Sequence, residues 1–231
     1  MKRNICIIPA RGGSKRIPRK NIKYFLGKPI IAYSIEAAIN SGLFDDIMVS
    51  TDDEEIAEIA KKIGAKVPFY RNKETANDFA TTLDVIKEVV LEYKKDNIVF
   101  DNICCLYATA PFVTVKTLQK SYDKFSKNNY DSLFPVIPYD FPIQRSVKIE
   151  NEKITFNYPE HTNTRSQDLK QNYHDAGQFY WLKSSIAENS DSIIASNTGA
   201  YIITELQGHD IDTEIDWKLA ELKYEVLQSI K

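Results

Sequence analysis

The chain has 231 residues, 43% of them hydrophobic and 27% charged, with a formal net charge of −2. This is the make-up of a soluble globular protein with one sizeable core, and the charge pattern excludes a general nucleic-acid surface. No apolar run approaches the roughly 20 residues of a membrane helix, and no signal-peptide pattern opens the chain.

The charge is unevenly spread. Residues 1–35 hold nine of the 30 Lys and Arg and no acid, which leaves 21 basic against 32 acidic side chains, or −11, in the remainder. Within that basic start, Asn4 to Ala10 reads as a buried first strand, and Pro29 to Ile39 reads as a helix closed by Ser41-Gly42. Between them lies Ala10-Arg11-Gly12-Gly13-Ser14-Lys15-Arg16-Ile17-Pro18-Arg19-Lys20-Asn21. A glycine-bearing basic loop between a first strand and a first helix is a natural polyphosphate cradle. Its unpaired cations repel one another, so an anionic ligand is expected there. The loop is neither the nucleoside-triphosphatase P-loop nor the dinucleotide fingerprint, because neither glycine spacing occurs.

Further along, Ile47 to Thr51 reads as a second strand. Asp52-Asp53 caps a helix from Glu54 to Ile63, with Gly64 at its end. Ala65 to Tyr70 reads as a third strand, and the polar stretch after it carries Arg71 and Asn77. A helix starts at Thr81-Thr82, a central strand spans Asn102 to Ala108, a helix spans Val115 to Ser126, and a strand spans Asp131 to Ile137. Cys104 and Cys105 should point to opposite faces of their strand. With Cys6 they read as buried thiols of a reducing cytoplasm rather than a disulfide framework. This order predicts an α/β fold with a mostly parallel sheet flanked by helices.

From Tyr139 to Tyr173 the chain turns polar and aromatic, with a hairpin signal around Asn151-Glu152. So long a stretch without core-quality positions reads as an arm, inserted at 139–173 into a single domain of residues 1–231. Phe141, Phe156 and Tyr158 suit an interface with another copy. The core resumes at Gly177 to Leu182 and at Gly199 to Thr204.

Asp210 and Asp212 form the second chemical constellation. In an extended segment both carboxylates lie on one side, and two hard oxygen donors with room for water and phosphate suit Mg2+. Thr213 and Asp216 read as a capping box that opens the last helix. Together, the loop and the acid pair imply nucleotidyl transfer. Arg11, Lys15 and Lys20 would neutralise a triphosphate while Asp210 and Asp212 hold the metal. A D-x-D glycosyltransferase and a noncatalytic nucleotide sensor are the readings from other classes.

Residues 8–22, Ser50-Thr51-Asp52, Tyr107 to Pro111 and Asp210 to Thr213 together resemble the CMP-sugar synthetases, the acylneuraminate cytidylyltransferase-like family. The resemblance implies a Rossmann-like nucleotidyltransferase fold with a protruding dimerisation arm, hence a cytoplasmic homodimer. The activity it implies is that CTP and a nonulosonic acid, a nine-carbon 2-keto sugar acid, yield the CMP-sugar and pyrophosphate. It assigns catalysis to Arg11, Lys20 and Asp212. Nucleotide binding falls to Ala10, Arg11, Gly12, Gly13, Ser14, Lys15, Lys20, Asn21 and Arg71, and Mg2+ to Asp210 and Asp212. Sialic-acid-activating relatives have Gln where this chain has Tyr107. That departure, with the blocks holding Gln144, Arg165 and Gln178, resembles the pseudaminic acid branch; N-acetylneuraminate and legionaminate are the alternative sugars. The sugar-binding candidates are therefore Tyr107, Gln144, Arg165 and Gln178, with the Arg165 guanidinium suited to a carboxylate.

Overall fold

The computed structural model describes residues 2–230. Strand β1, Asn4–Pro9, is buried along nearly its whole length because both of its neighbours pair with it, which explains its unbroken apolar sequence. The basic loop follows. A small hairpin comes next, from β2 (Tyr24–Phe25) and β3 (Lys28–Pro29), and leads into helix α1, Ile30–Ser41. Gly42 ends α1 at φ 65, where an L-residue would be strained. Strand β4 is Asp46–Ser50 and α2 is Glu54–Ile63. The Asp53 side chain caps α2 by accepting from Ile56 N–H at 3.0 Å.

Helix α3, Thr82–Lys95, opens on a capping box of Thr81 and Asp84. It precedes β5 (Asn102–Leu106), α4 (Val115–Lys127) and β6 (Ser132–Pro138). Among the described residues, strands β7 (Val147–Glu150) and β8 (Lys153–Phe156) pair only with each other across the Asn151-Glu152 turn, where both residues have positive φ. The chain then forms β9 (Tyr173–Asp175), β10 (Phe179–Lys183), α5 (Ser184–Asn189), β11 (Thr198–Ile202) and α6 (Glu214–Ser229). The Thr213–Asp216 capping box opens α6 as the sequence predicts.

The main sheet runs β11-β6-β10-β5-β1-β4, with β9 on β6. Strands β4, β1, β5, β6 and β11 share one direction, while β10 runs against β5 and β6, and β9 against β6. One face packs Cys6, Ile8, Cys104 and Trp181 against α1, α2 and α4. The other packs Ile5, Ile7 and Cys105 against α3. The adjacent cysteines do serve opposite faces, and all three are free and buried. Among the described residues no helix is long and apolar enough to cross a membrane.

The predicted third strand, Ala65 to Tyr70, is not one. It makes a single bridge, Lys66 to Met48. Pro68 lacks the N–H that would extend the ladder, and Arg71 N–H next meets the Thr51 carbonyl at 2.8 Å. A third core, of Ile17, Phe25, Ile30, Tyr33, Ile211, Trp217 and Ala220, fastens α6 to the loop and the small hairpin. Phe25 meets Trp217 and Tyr224 edge-on, each with ring centroids 5.7 Å apart.

Candidate active site

From β1 the chain crosses through α1 to β4 on one side, then through α3 to β5 on the other. The loops leaving β1 and β5 therefore part, and a crevice opens at the strands' carboxyl ends. There lies a cleft of about 260 Å³, lined by Arg11, Ser14, Lys20, Asn21, Arg71, Asp78, Thr82, Tyr107 and Thr109 among others. A second cavity of about 250 Å³, between α1 and α6 around Tyr33, Phe112 and Tyr224, lacks such a concentration of cations.

The basic loop is held from within. The Asn21 side-chain amide donates to the Arg11 carbonyl at 2.9 Å, and Gly12 N–H donates to Asp52 Oδ1 at 2.9 Å. Ala10 is fully buried, and its N–H donates to the Ser50 carbonyl at 2.9 Å, so it ends the strand rather than facing the cleft. The two glycines differ. A Cβ on Gly12 would lie 2.7 Å from Asp53 Oδ2, whereas one on Gly13 would meet nothing within 4 Å.

The sequence predicts repelling, unpaired cations; the structure pairs them with acids from distant segments. Arg11 and Lys15 share Asp78, Arg16 lies 2.9 Å from Asp212, and Lys23 lies 2.6 Å from Glu214. Arg19 lies at φ 56, a left-handed conformation. Its guanidinium grips Asp53 through two hydrogen bonds and also reaches Glu55 at 2.5 Å. The Arg19 hydrogen bond holds the Asp53 carboxyl below the usual carboxylate range. Arg19 is therefore a strut between the loop and α2, placed directly before Lys20.

Lys20 joins the two ends of the site. Its Nζ donates to the Ile211 carbonyl at 2.8 Å and lies 3.5 Å from Asp212 Oδ1. The loop and the acid pair thus meet, as the sequence requires. Burial, then the neighbouring Asp212 charge, pushes the Asp210 carboxyl up, while Lys20 and Arg16 oppose the shift. A divalent cation would relieve the repulsion between Asp210 and Asp212, and two carboxylates offer the kind of oxygen donor that Mg2+ takes. Among the described residues no group of three or more His, Cys, Asp or Glu is placed to hold a metal, so water and phosphate oxygens would have to complete the shell of a cation on this pair. Burial and the Lys223 charge push the imidazole of His209 down, which favours its neutral form.

Arg71 is buried; its Nε donates to Ser50 Oγ at 2.9 Å and its Nη2 to the Ser50 carbonyl at 2.5 Å. Burial pushes its pKa down, opposed by the charges of Asp52 and Glu88. Tyr107 shares a hydrogen bond with the Thr82 hydroxyl at 2.9 Å, and burial pushes its phenol up to about 12. Its ring lies 5.6 Å from that of Tyr180, whose hydroxyl donates to Asp175 at 2.6 Å. Gln178 is buried beside Tyr107, whose N–H it accepts, and its side chain donates to the Gln207 carbonyl at 2.6 Å. Gln144 and Arg165 lie on the 139–173 segment, outside the lining of the cleft.

Asp52, Asp78 and Thr82 were missed as site residues. Their signal was faint: for Asp52 an acid just after a strand, for Asp78 a place in the same polar stretch as Asn77, and for Thr82 a hydroxyl at the start of a helix.

A model of the cytidylyltransferase family matches residues 5–227. The chain is 45% identical over 225 residues, 97% of each chain, to a pseudaminic acid cytidylyltransferase from Campylobacter jejuni subsp. jejuni. It is 34% identical, over 94% of its length and 93% of the relative's, to a CMP-N,N'-diacetyllegionaminic acid synthase of that species. A solved CMP:2-keto-3-deoxy-manno-octonic acid synthetase, in complex with CTP, superposes with a TM-score of 0.70 at 17% identity, covering 98% of this chain and 99% of that one.

Proposed function

The chain belongs to the cytidylyltransferase family, and on that premise we propose that it activates pseudaminic acid with CTP, giving the CMP-sugar and pyrophosphate. The observation that carries the chemistry is the Lys20 contact, which joins the basic loop to the acid pair. The sugar assignment follows the 45% identical relative and agrees with Tyr107 in place of the glutamine of sialic-acid-activating enzymes.

In this reading the triphosphate lies along the loop, against Arg11, Ser14, Lys15 and Lys20. Arg71, fixed by Ser50, lies at the nucleoside end. A sugar hydroxyl oxygen attacks the α-phosphorus; the new P–O bond forms as the bond to the β-phosphate oxygen breaks, and the hydroxyl proton passes to solvent. The chain supplies position and charge compensation more than covalent help. Lys20 faces the charge that develops between entering and leaving oxygens. Asp210 and Asp212 would hold Mg2+, which supplies a Lewis acid that lowers the hydroxyl's pKa. Tyr107, as a neutral phenol, and Thr82 offer hydrogen bonds to the sugar, with Gln178 behind them.

The 139–173 arm serves a homodimer in the same reading. Val147, Ile149, Ile154 and Phe156 share one face of the hairpin and are exposed, and nearby Phe141 is 86% exposed. Arg165 lies on the same arm. Three free buried thiols suit the reducing cytoplasm.

The test is pyrophosphate release with CTP, Mg2+ and a panel of nonulosonic acids. Release with pseudaminic acid above all others is expected. Release with none refutes the activity, and a preference for a legionaminic or N-acetylneuraminic acid corrects the sugar.

A further inference from the structure

The cations proposed to bind the triphosphate already hold an anion. Asp78 Oδ1 lies 2.6 Å from Arg11 Nη1, and its Oδ2 lies 2.5 Å from Lys15 Nζ. One carboxylate thus bridges two cations at charge-assisted hydrogen-bond distances, as a phosphate would. Hydrogen bonds from Lys15 and Arg11 hold its carboxyl below the usual range.

The segment that carries Asp78 is anchored at its base. The buried Glu88 carboxylate accepts Asn72 N–H at 2.8 Å and also the Thr75 hydroxyl. The Asn77 side chain accepts from Phe79 and Ala80 N–H at 2.7 and 3.0 Å. The tip reaches out from these fastenings, and Phe79 is 93% exposed. Asp78 is what ties the tip to the basic loop. A phosphate arriving at Arg11 and Lys15 meets a like charge within a few ångströms, so carboxylate and phosphate compete for the same donors.

We infer that Asp78 is an internal counter-ion that occupies the polyphosphate site between turnovers, and that incoming phosphates displace it from Arg11 and Lys15. The inference rests on the nucleotide reading of the loop given above. It assigns Asp78 two effects. It holds the two cations in place when no nucleotide is bound, and it weakens the hold on every polyphosphate, the pyrophosphate product included.

The experiment is calorimetric titration of CTP and of pyrophosphate, without sugar, into wild type, Asp78→Asn, Asp78→Ser and Asp78→Glu, each shown to be folded by a cooperative melt. Removing two exposed competing ion pairs should tighten pyrophosphate binding by about three- to tenfold in both neutral variants. Asp78→Glu should stay near wild type, and the gain should shrink as salt is raised. Equal or weaker binding by the neutral variants overturns the inference, because Asp78 then orients the cations rather than competing for them. If wild type binds CTP and releases pyrophosphate in turnover while the variants gain nothing, this inference alone falls. If no form binds either ligand, the nucleotide reading falls with it.

Discussion

Lys20→Met is the most informative single change. It keeps most of the aliphatic stem and removes the charge that lies 3.5 Å from Asp212 and donates to the Ile211 carbonyl at 2.8 Å. The Lys20 side chain is only 21% exposed, so solvent screens it weakly. A unit charge pair about 4 Å apart interacts by about 4 kcal/mol at an effective dielectric of about 20. Losing one preorganised group of this kind lowers kcat by about 10²- to 10³-fold, or about 2.7–4 kcal/mol. The expected result is therefore a kcat for pyrophosphate release about 100- to 1000-fold lower, with a KM for CTP changed by less than about tenfold, because Arg11 and Lys15 still hold the phosphates. Stopped-time pyrophosphate assays over a CTP range give both constants. A kcat within about threefold of wild type, or a loss confined to KM, would refute the placement of Lys20 against the developing charge.

Other changes test the frame around it. Gly12→Ala should push Asp53 away and break its grip on Arg19, lowering Tm, whereas Gly13→Ala should leave Tm within about 2 °C of wild type; calorimetry on the pair checks this. Arg19→Gly should unfold about 1 kcal/mol less readily than Arg19→Ala, because both lose the Asp53 clamp but only alanine keeps the left-handed strain at φ 56; equal urea midpoints would show that the strain is illusory. Tyr107→Phe should raise the KM for sugar and spare that for CTP, which competing substrate titrations will reveal. Chelation should abolish turnover and added Mg2+ should restore it, with Asp212→Asn inactive at any Mg2+ concentration; activity surviving EDTA would remove the metal from the mechanism.

Local chemistry made much of the fold legible. Asp53 and Gly64 bound α2, Thr213 and Asp216 open α6, and Asn151-Glu152 turns the hairpin, each through contacts a few residues long. Ala65 to Tyr70 misled because its apolar residues resemble a strand, while Pro68 denies it a ladder. The candidate site was legible where a motif is contiguous, as in the basic loop and the D-x-D pair that the fold brings together at Lys20. It was opaque where the partner is far along the chain. Composition sees Arg19 as one more phosphate-binding cation; only the folded backbone shows its left-handed turn and its clasp on Asp53. Asp78, 67 residues from Arg11, carried only the faint mark of its polar stretch. Of the sugar candidates only Tyr107 lines the cleft; Gln178 is buried behind it, and Gln144 and Arg165 lie on the 139–173 segment.

The union of Lys20 with Ile211, like that of Lys23 with Glu214, spans 191 positions of chain. A ribosome must add 191 positions beyond the loop before it can find these partners. Until α6 docks through Trp217, a nascent protein carries Lys20 and Lys23 without their partners Asp212 and Glu214. Long-range closure of this sort is slow relative to helix formation. Lys20 and Lys23 therefore gain their acidic partners in one late step of biogenesis, after the residues that line the cleft have already been made.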